Sequence, residues 1–171
     1  MKYILWGIVG SLTLTIAQAA NNTELASPAK VFQSVLVQVK AKTEVPILLP
    51  SEFPPSIKTE DIHYVQGVGN PTKYEITLYY EQEGDAGFLG YFSGEVGRKP
   101  IGKGKKVILE NSINGYFKGK SCGGSCSPSQ IDWLQDNVLY TMQLKLPVGT
   151  KSEEERVMRF VANSAIHGGA R

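Results

Sequence analysis

IDWLQDNVLYTMQLKL, residues 131–146, reads as two strands folded back on one another. Ile131 to Leu134 is a short strand candidate, and Gln135-Asp136-Asn137 supplies residues that favour a turn. Beyond it Val138, Tyr140, Met142, Leu144 and Leu146 alternate with other side chains. Successive side chains of a strand point to opposite faces, so this alternation predicts one buried sheet face. The three-residue connection makes the pair antiparallel.

Working toward the C-terminus, the next element is a helix. Ser152 is its expected cap, with Glu155 at the third helical position of a capping box. Glu153, Glu154 and Glu155 set negative charge at the positive end of the helix dipole. Val157, Phe160, Val161, Ser164 and Ala165 form its apolar stripe, and Gly168-Gly169 stops it. Such a helix covers one face of the sheet.

Toward the N-terminus, more strands are expected. Ile62 to Gln66 is one, ended by a turn at Gly67-Val68-Gly69-Asn70-Pro71. Lys73 to Glu81 alternates Tyr74, Ile76, Leu78 and Tyr80 against Lys73, Glu75, Thr77 and Tyr79. Phe88 to Val96, Lys106 to Leu109 and Ile113 to Lys118 follow, the last two separated by an Asn-containing turn. PILLP (46–50) is extended, and Phe53-Pro54-Pro55 closes it with a stiff bend. Residues 28–41 are ambiguous: Val31, Val35, Leu36 and Val39 make a helical stripe, while Val35, Val37 and Val39 alternate. Ser27-Pro28 resembles a cap followed by a first-turn proline, so a helix is the reading taken. The expected fold is α+β: an antiparallel sheet of six or seven strands with the C-terminal helix, and the N-terminal one, packed on one side.

The first residues bear on compartment. Lys2 precedes an apolar run from Ile4 to Ala17, and Ala17-Gln18-Ala19 offers small residues for a signal peptidase. A retained anchor is the competing reading, but the run falls short of the roughly 20 residues a spanning helix needs. Cleavage after Ala19 leaves 152 of 171 residues, one domain in length. The expected division is a signal peptide at 1–19, a loose segment at 20–27, the domain at 28–167 and a loose tail at 168–171. Asn21-Asn22-Thr23 fits the glycan acceptor pattern. Net charge is +2, becoming +1 without Lys2, which argues against a dedicated nucleic-acid binder. No further transmembrane segment follows the leader. The chain is 42% apolar and 20% charged, enough to build a core without depending on cross-links.

Cys122 and Cys126 are the only cysteines, spaced by Gly-Gly-Ser in a loop between strands. A redox dithiol would be spaced by two residues at a helix N-terminus. A metal site would need more ligands than His63 and His167 provide. In an oxidising compartment the pair reads as a structural disulfide. Neither histidine sits in a catalytic pattern, and His167 fits the negative end of the final helix. Glu75, Glu81, Asp85 and Glu95 form no specific acid–base pair on spacing, and no cofactor motif is complete.

Two surface candidates remain. Arg98, Lys99, Lys103, Lys105 and Lys106 form a basic run, read either as contact with an anionic partner or as edge protection of the sheet. Residues 84–119 carry nine of the 18 glycines, interleaved with the aromatics Tyr91, Phe92, Tyr116 and Phe117. Those four rings are a candidate stacking surface, against the alternative of a bent sheet with glycines at bulges.

Trp133, Tyr140 and the segment Ala162-Asn163-Ser164, together with PILLPSEFPP (46–55), carry a resemblance to exported bacterial domains of unknown function. The resemblance implies an exported α+β domain and brings no catalytic residues. The expected function is a non-enzymatic, periplasmic or extracellular binding domain, monomeric or weakly self-associating, with an envelope component or acidic protein as partner. The alternative is a hydrolase whose active residues meet only in three dimensions.

Overall fold

A computed structural model describes residues 26–80, 87–100, 104–123, 125–147 and 149–171, and these form nine strands and two α-helices, two of the strands being a short ribbon where the sequence suggests only a loop. The expected leader at 1–19, the acceptor pattern at Asn21, and Glu81, Asp85 and Lys103 lie outside these residues. Helix α1 (Gln33–Lys40) continues a 3-10 turn at Lys30–Phe32. The strands are β1 (Tyr64–Asn70), β2 (Lys73–Tyr79), β3 (Phe88–Val96), β4 (Lys105–Ile108), β5 (Asn114–Lys118), β6 (Ser121–Cys122), β7 (Cys126–Ser127), β8 (Ser129–Gln135) and β9 (Val138–Leu144). Helix α2 (Lys151–Gly168) is the last element in chain order.

Seven strands form one antiparallel sheet in the order β1-β2-β3-β9-β8-β5-β4, and β6 and β7 pair separately as a ribbon. Two meanders, β1-β2-β3 and β9-β8-β5-β4, therefore meet along β3 and β9. The β8–β9 turn is Asp136-Asn137, at φ 52° and 63°. Positive φ at both positions is the two-residue hairpin geometry whose twist matches the strands, and Asp and Asn tolerate it.

Both helices lie on one face. Its core includes Phe32, Ile76, Leu78, Phe92, Phe117, Ile131, Trp133, Met142 and Val161, each at most 2% exposed. Phe32 meets Phe92 edge-on with ring centroids 5.3 Å apart, and Trp133 stacks on Tyr140 at 5.4 Å. A bulge between β2 and β3 sets Leu78 opposite Gly90 but Tyr79 opposite Phe88, leaving Leu89 as the extra residue. Leu89 is thereby driven into the core, 1% exposed, while Phe88 joins Tyr79 on the other face.

The segment after α1 crosses the same core face. The Tyr74 hydroxyl accepts from Leu48 N at 3.1 Å and donates to Leu48 O at 3.3 Å. Tyr140 Oη donates to Pro46 O at 2.9 Å. Ser164 Oγ accepts from the Ser51 and Glu52 amides at 3.1 and 3.2 Å. Asn163 Oδ1 accepts from Glu110 N at 2.8 Å. Trp133, Tyr140, Asn163 and Ser164, which carry the sequence resemblance, thus serve packing and loop fastening.

Several boundaries differ from expectation for identifiable reasons. β1 runs through Gly67 and Gly69 because α1 packs directly against it. A Cβ at Gly67 would stand 2.4 Å from Val39 Cγ2, so glycine here marks close approach rather than a turn. The α2 cap is Thr150 with Glu153, not Ser152 with Glu155. Glu153 N donates to Thr150 Oγ1 at 3.3 Å, and Thr150 N donates to Glu153 Oε2 at 2.7 Å. Phe160 is 41% exposed, because the face turned to the sheet is that of Met158, Val161, Ala162 and Ala165. No side-chain cap bond forms at the start of the N-terminal helical segment, whose cap position is Ala29. The expected loose tail is fastened, with Arg171 N donating to Ile47 O at 3.1 Å.

Candidate functional site

Strand alternation sends a second set of side chains to the face opposite the helices. One transverse row there is Glu75, Ser93, Thr141, Asp132, Tyr116 and Lys106, on β2, β3, β9, β8, β5 and β4. The next row includes Thr77, Tyr91, Gln143 and Gln130. At one end Tyr64, Tyr79 and Phe88 form an aromatic strip, with neighbouring centroids 5.7 and 6.2 Å apart. Among the described residues no helix packs on this face, which is polar where the other is apolar.

Its centre is a shallow depression of about 260 Å³. Lys73 and Glu75 form an ion pair at 3.6 Å on its rim, and Arg98 Nη1 donates to Glu95 Oε2 at 2.8 Å. Both rim pairs are substantially solvated, so each contributes little to stability. The hydrogen bond and charge of Glu95 hold the Arg98 guanidinium above its ordinary pKa, and the field of Asp132 adds the least.

Asp132 is different. It lines the depression yet is only 8% exposed, and both its oxygens accept from one neutral donor, Gln130 Nε2, at 2.9 Å each. A carboxylate has about four lone-pair sites, so acceptor capacity is left over. Beside it, burial pushes the Tyr91 hydroxyl pKa up, and the charges of Asp132 and Glu75 push it further. Tyr91 therefore stays protonated and available as a donor. Hydroxyls of Ser93 and Thr141 complete the floor. The depression can hold a small polar ligand by charge and hydrogen bonds.

The structure separates the surface candidates. Tyr91 and Tyr116 lie half-buried on the polar face, whereas Phe92 and Phe117, each 2% exposed, belong to the core. Adjacent residues of one strand cannot share a face, which divides both pairs. The same rule splits the basic run. Lys105 and Lys106 point to opposite faces of β4, and Lys105 Nζ pairs with Glu155 on α2 at 2.8 Å. Arg98 is held by Glu95, and Lys99 is exposed. β4 is an edge strand, where lysines discourage pairing with another chain.

Cys122 and Cys126 face each other across the β6–β7 ribbon at disulfide distance, sulfur to sulfur 2.13 Å, with Cα atoms 4.0 Å apart. A second cavity, about 340 Å³, adjoins this ribbon. Its buried carboxylate Glu154 is already committed, accepting from Ser129 Oγ at 2.8 Å and Lys120 N at 3.1 Å. Those bonds clip the ribbon to α2. His63 and His167 are exposed and line neither cavity.

Glu75 and Glu95 form no specific pair on sequence spacing, and Asp132 belongs to no sequence motif. The available signal was an acid between Ile131 and Trp133, at the polar-face position of a strand whose neighbours are core. Among the described residues no helix is long and apolar enough to cross a membrane, and no group of three or more His, Cys, Asp or Glu side chains could hold a metal ion. No family model, curated protein or solved structure matches this chain at a significant level.

Proposed function

We propose that the mature chain is an exported, non-enzymatic binding domain of the bacterial envelope type, and that its polar sheet face is the binding surface. One observation carries the reading: the helices cover a single face of the sheet, and the other gathers polar side chains from β2, β3, β8 and β9 around a depression. Burying a carboxylate is costly unless it is well partnered, so Asp132 in that position is a feature that folding alone does not require. The cysteine pair is compatible with an oxidising compartment, and the leader-like N-terminus supports export.

The test is retention of purified protein by the envelope fraction of its own host. Thr141→Arg fills the centre of the depression with a long side chain on an already half-exposed position. Wild type is expected to sediment with the fraction and Thr141→Arg to stay in solution, with unchanged circular dichroism. Equal recovery of the two proteins overturns the reading.

The hydrolase reading has one observation in its favour, three carboxylates (Glu75, Glu95 and Asp132) around one depression. Glycoside cleavage uses two such groups at a defined separation. Release of reducing ends from envelope polysaccharide, abolished in Asp132→Asn, would establish it in place of the binding reading.

A further inference from the structure

We infer that the depression around Asp132 binds a primary ammonium group carried on a short aliphatic stem. The inference rests on the polar face being the binding surface and adds the chemistry of what it takes. Charge decides the class. Lys73 and Arg98 stand against Glu75, Glu95 and Asp132, so the lining carries one more carboxylate than cation. The two cations are engaged at the rim by Glu75 and Glu95, at 3.6 and 2.8 Å. The excess negative charge is Asp132 itself, 8% exposed and partnered only by the Gln130 amide among described hydrogen bonds.

An ammonium supplies what that carboxylate lacks: a compensating charge and a charged donor for a remaining lone pair. Ser93 and Thr141, whose hydroxyls can accept the other two donors, line the same depression. A neutral sugar would satisfy the acceptors but leave the charge uncompensated, and an anion would be repelled. Size sets a second limit. At about 260 Å³ the depression is below the roughly 300 Å³ at which sites for drug-sized ligands begin. It therefore fits a single head group rather than a folded molecule. The same chemistry comes from a free amine or from a lysine side chain of a peptide.

Titration of the ¹⁵N-labelled chain separates the cases. The probes are putrescine, the capped peptide acetyl-Gly-Lys-Gly-amide, and methyl β-glucoside as the neutral comparison. Saturable shifts at the amides of Ser93, Asp132 and Thr141 are expected with an ammonium probe at about millimolar concentration. Tighter binding of putrescine identifies a free amine as the source; tighter binding of the peptide identifies a lysine side chain. Asp132→Asn should weaken binding about tenfold or more, while Asp132→Glu should keep most of it. Should Asp132→Asn fail to fold, Thr141→Arg, which sets its own cation in the depression, must block the probe. Absence of saturation with both ammonium probes, unchanged affinity in the folded Asp132→Asn, or stronger shifts with the glucoside overturns the inference. Loss of envelope retention by Thr141→Arg without any ammonium binding would sink this inference and leave the binding surface standing. Ammonium binding with unaltered retention would do the reverse.

Discussion

Removing the hydroxyl of Tyr74 should cost more than removing that of Tyr140, although both replacements leave a phenylalanine ring in place. Tyr74 is 1% exposed and its hydroxyl serves both the N–H and the C=O of Leu48, itself 3% exposed. Burial raises its pKa, with the Leu48 backbone bond opposing that shift, so the group stays protonated and able to donate. Tyr74→Phe strands two buried backbone groups, each costing about 1–3 kcal/mol. Because the 3.3 Å bond is the weaker, the total expected is about 2–4 kcal/mol. Tyr140 donates to Pro46 O, and Pro46 is exposed, so water replaces the lost partner and about 1 kcal/mol is expected. Urea unfolding followed by circular dichroism gives both values with unchanged slope. In melting temperature the difference is roughly 3–10 °C for a chain of this size. A loss for Tyr74→Phe no larger than that for Tyr140→Phe would refute the claim that these hydroxyls secure the proline-flanked segment.

Three further outcomes follow from other contacts. Gly90→Ala should destabilise by about 3 kcal/mol or more, since its Cβ would stand 2.1 Å from the Gln143 carbonyl oxygen in β9, and backbone cannot step aside; a melt within a degree of wild type contradicts this. Replacing both cysteines by serine should cost at most about 2 kcal/mol, because the closed loop spans only four positions. Hydrogen exchange should quicken in β6 and β7 while the main sheet keeps its protection. Hydrogen bonds from the Thr150 backbone and side chain lower the Glu153 pKa in the folded chain. A depressed folded value means the contribution is present above the unfolded glutamate pKa of about 4.3 and is lost as pH falls through the folded one. Wild type should therefore exceed Glu153→Gln in melting temperature at pH 6, with the gap closing toward pH 3; a gap independent of pH would show that the cap owes nothing to the carboxylate.

Local patterns made much of this fold legible. β3 was read with its observed bounds, Phe88–Val96, because its flanks carry clear punctuation. The β8–β9 hairpin was legible from Asp136-Asn137, residues that accept positive φ. Gly67 and Gly69 misled, since a glycine that ends a strand and one that admits a helix against it look alike in sequence. TKSE and SEEE both satisfy the capping pattern, so only geometry chooses Thr150 over Ser152. The junction of β3 with β9 joins residues more than fifty apart, such as Gly90 and Leu144, and no local signal announces it. The depression depends on that junction: Thr141 meets Asp132 within the β8–β9 hairpin, but Ser93 meets Thr141 only once both meanders are in register. Hence Glu75, Tyr91, Glu95 and Arg98 stand out in the sequence, whereas Asp132 and the meeting of these side chains do not.

The fastening at Arg171 has a consequence for orientation. Its guanidinium donates to the carbonyls of Gly168 and Ala26, and its own amide donates to Ile47 O. Ala29 N in turn donates to Pro50 O at 2.9 Å, so the first described residues and the last are bound to the same proline-flanked segment. Residues 26 and 171 are thus both fastened on the helical side of the sheet. Any tether, fusion partner or surface coupled through either end would hold the molecule by its back, presenting Asp132 and Tyr91 outward. Attachment at residue 26 or residue 171 is then the natural handle for immobilising the protein without blocking its exposed face.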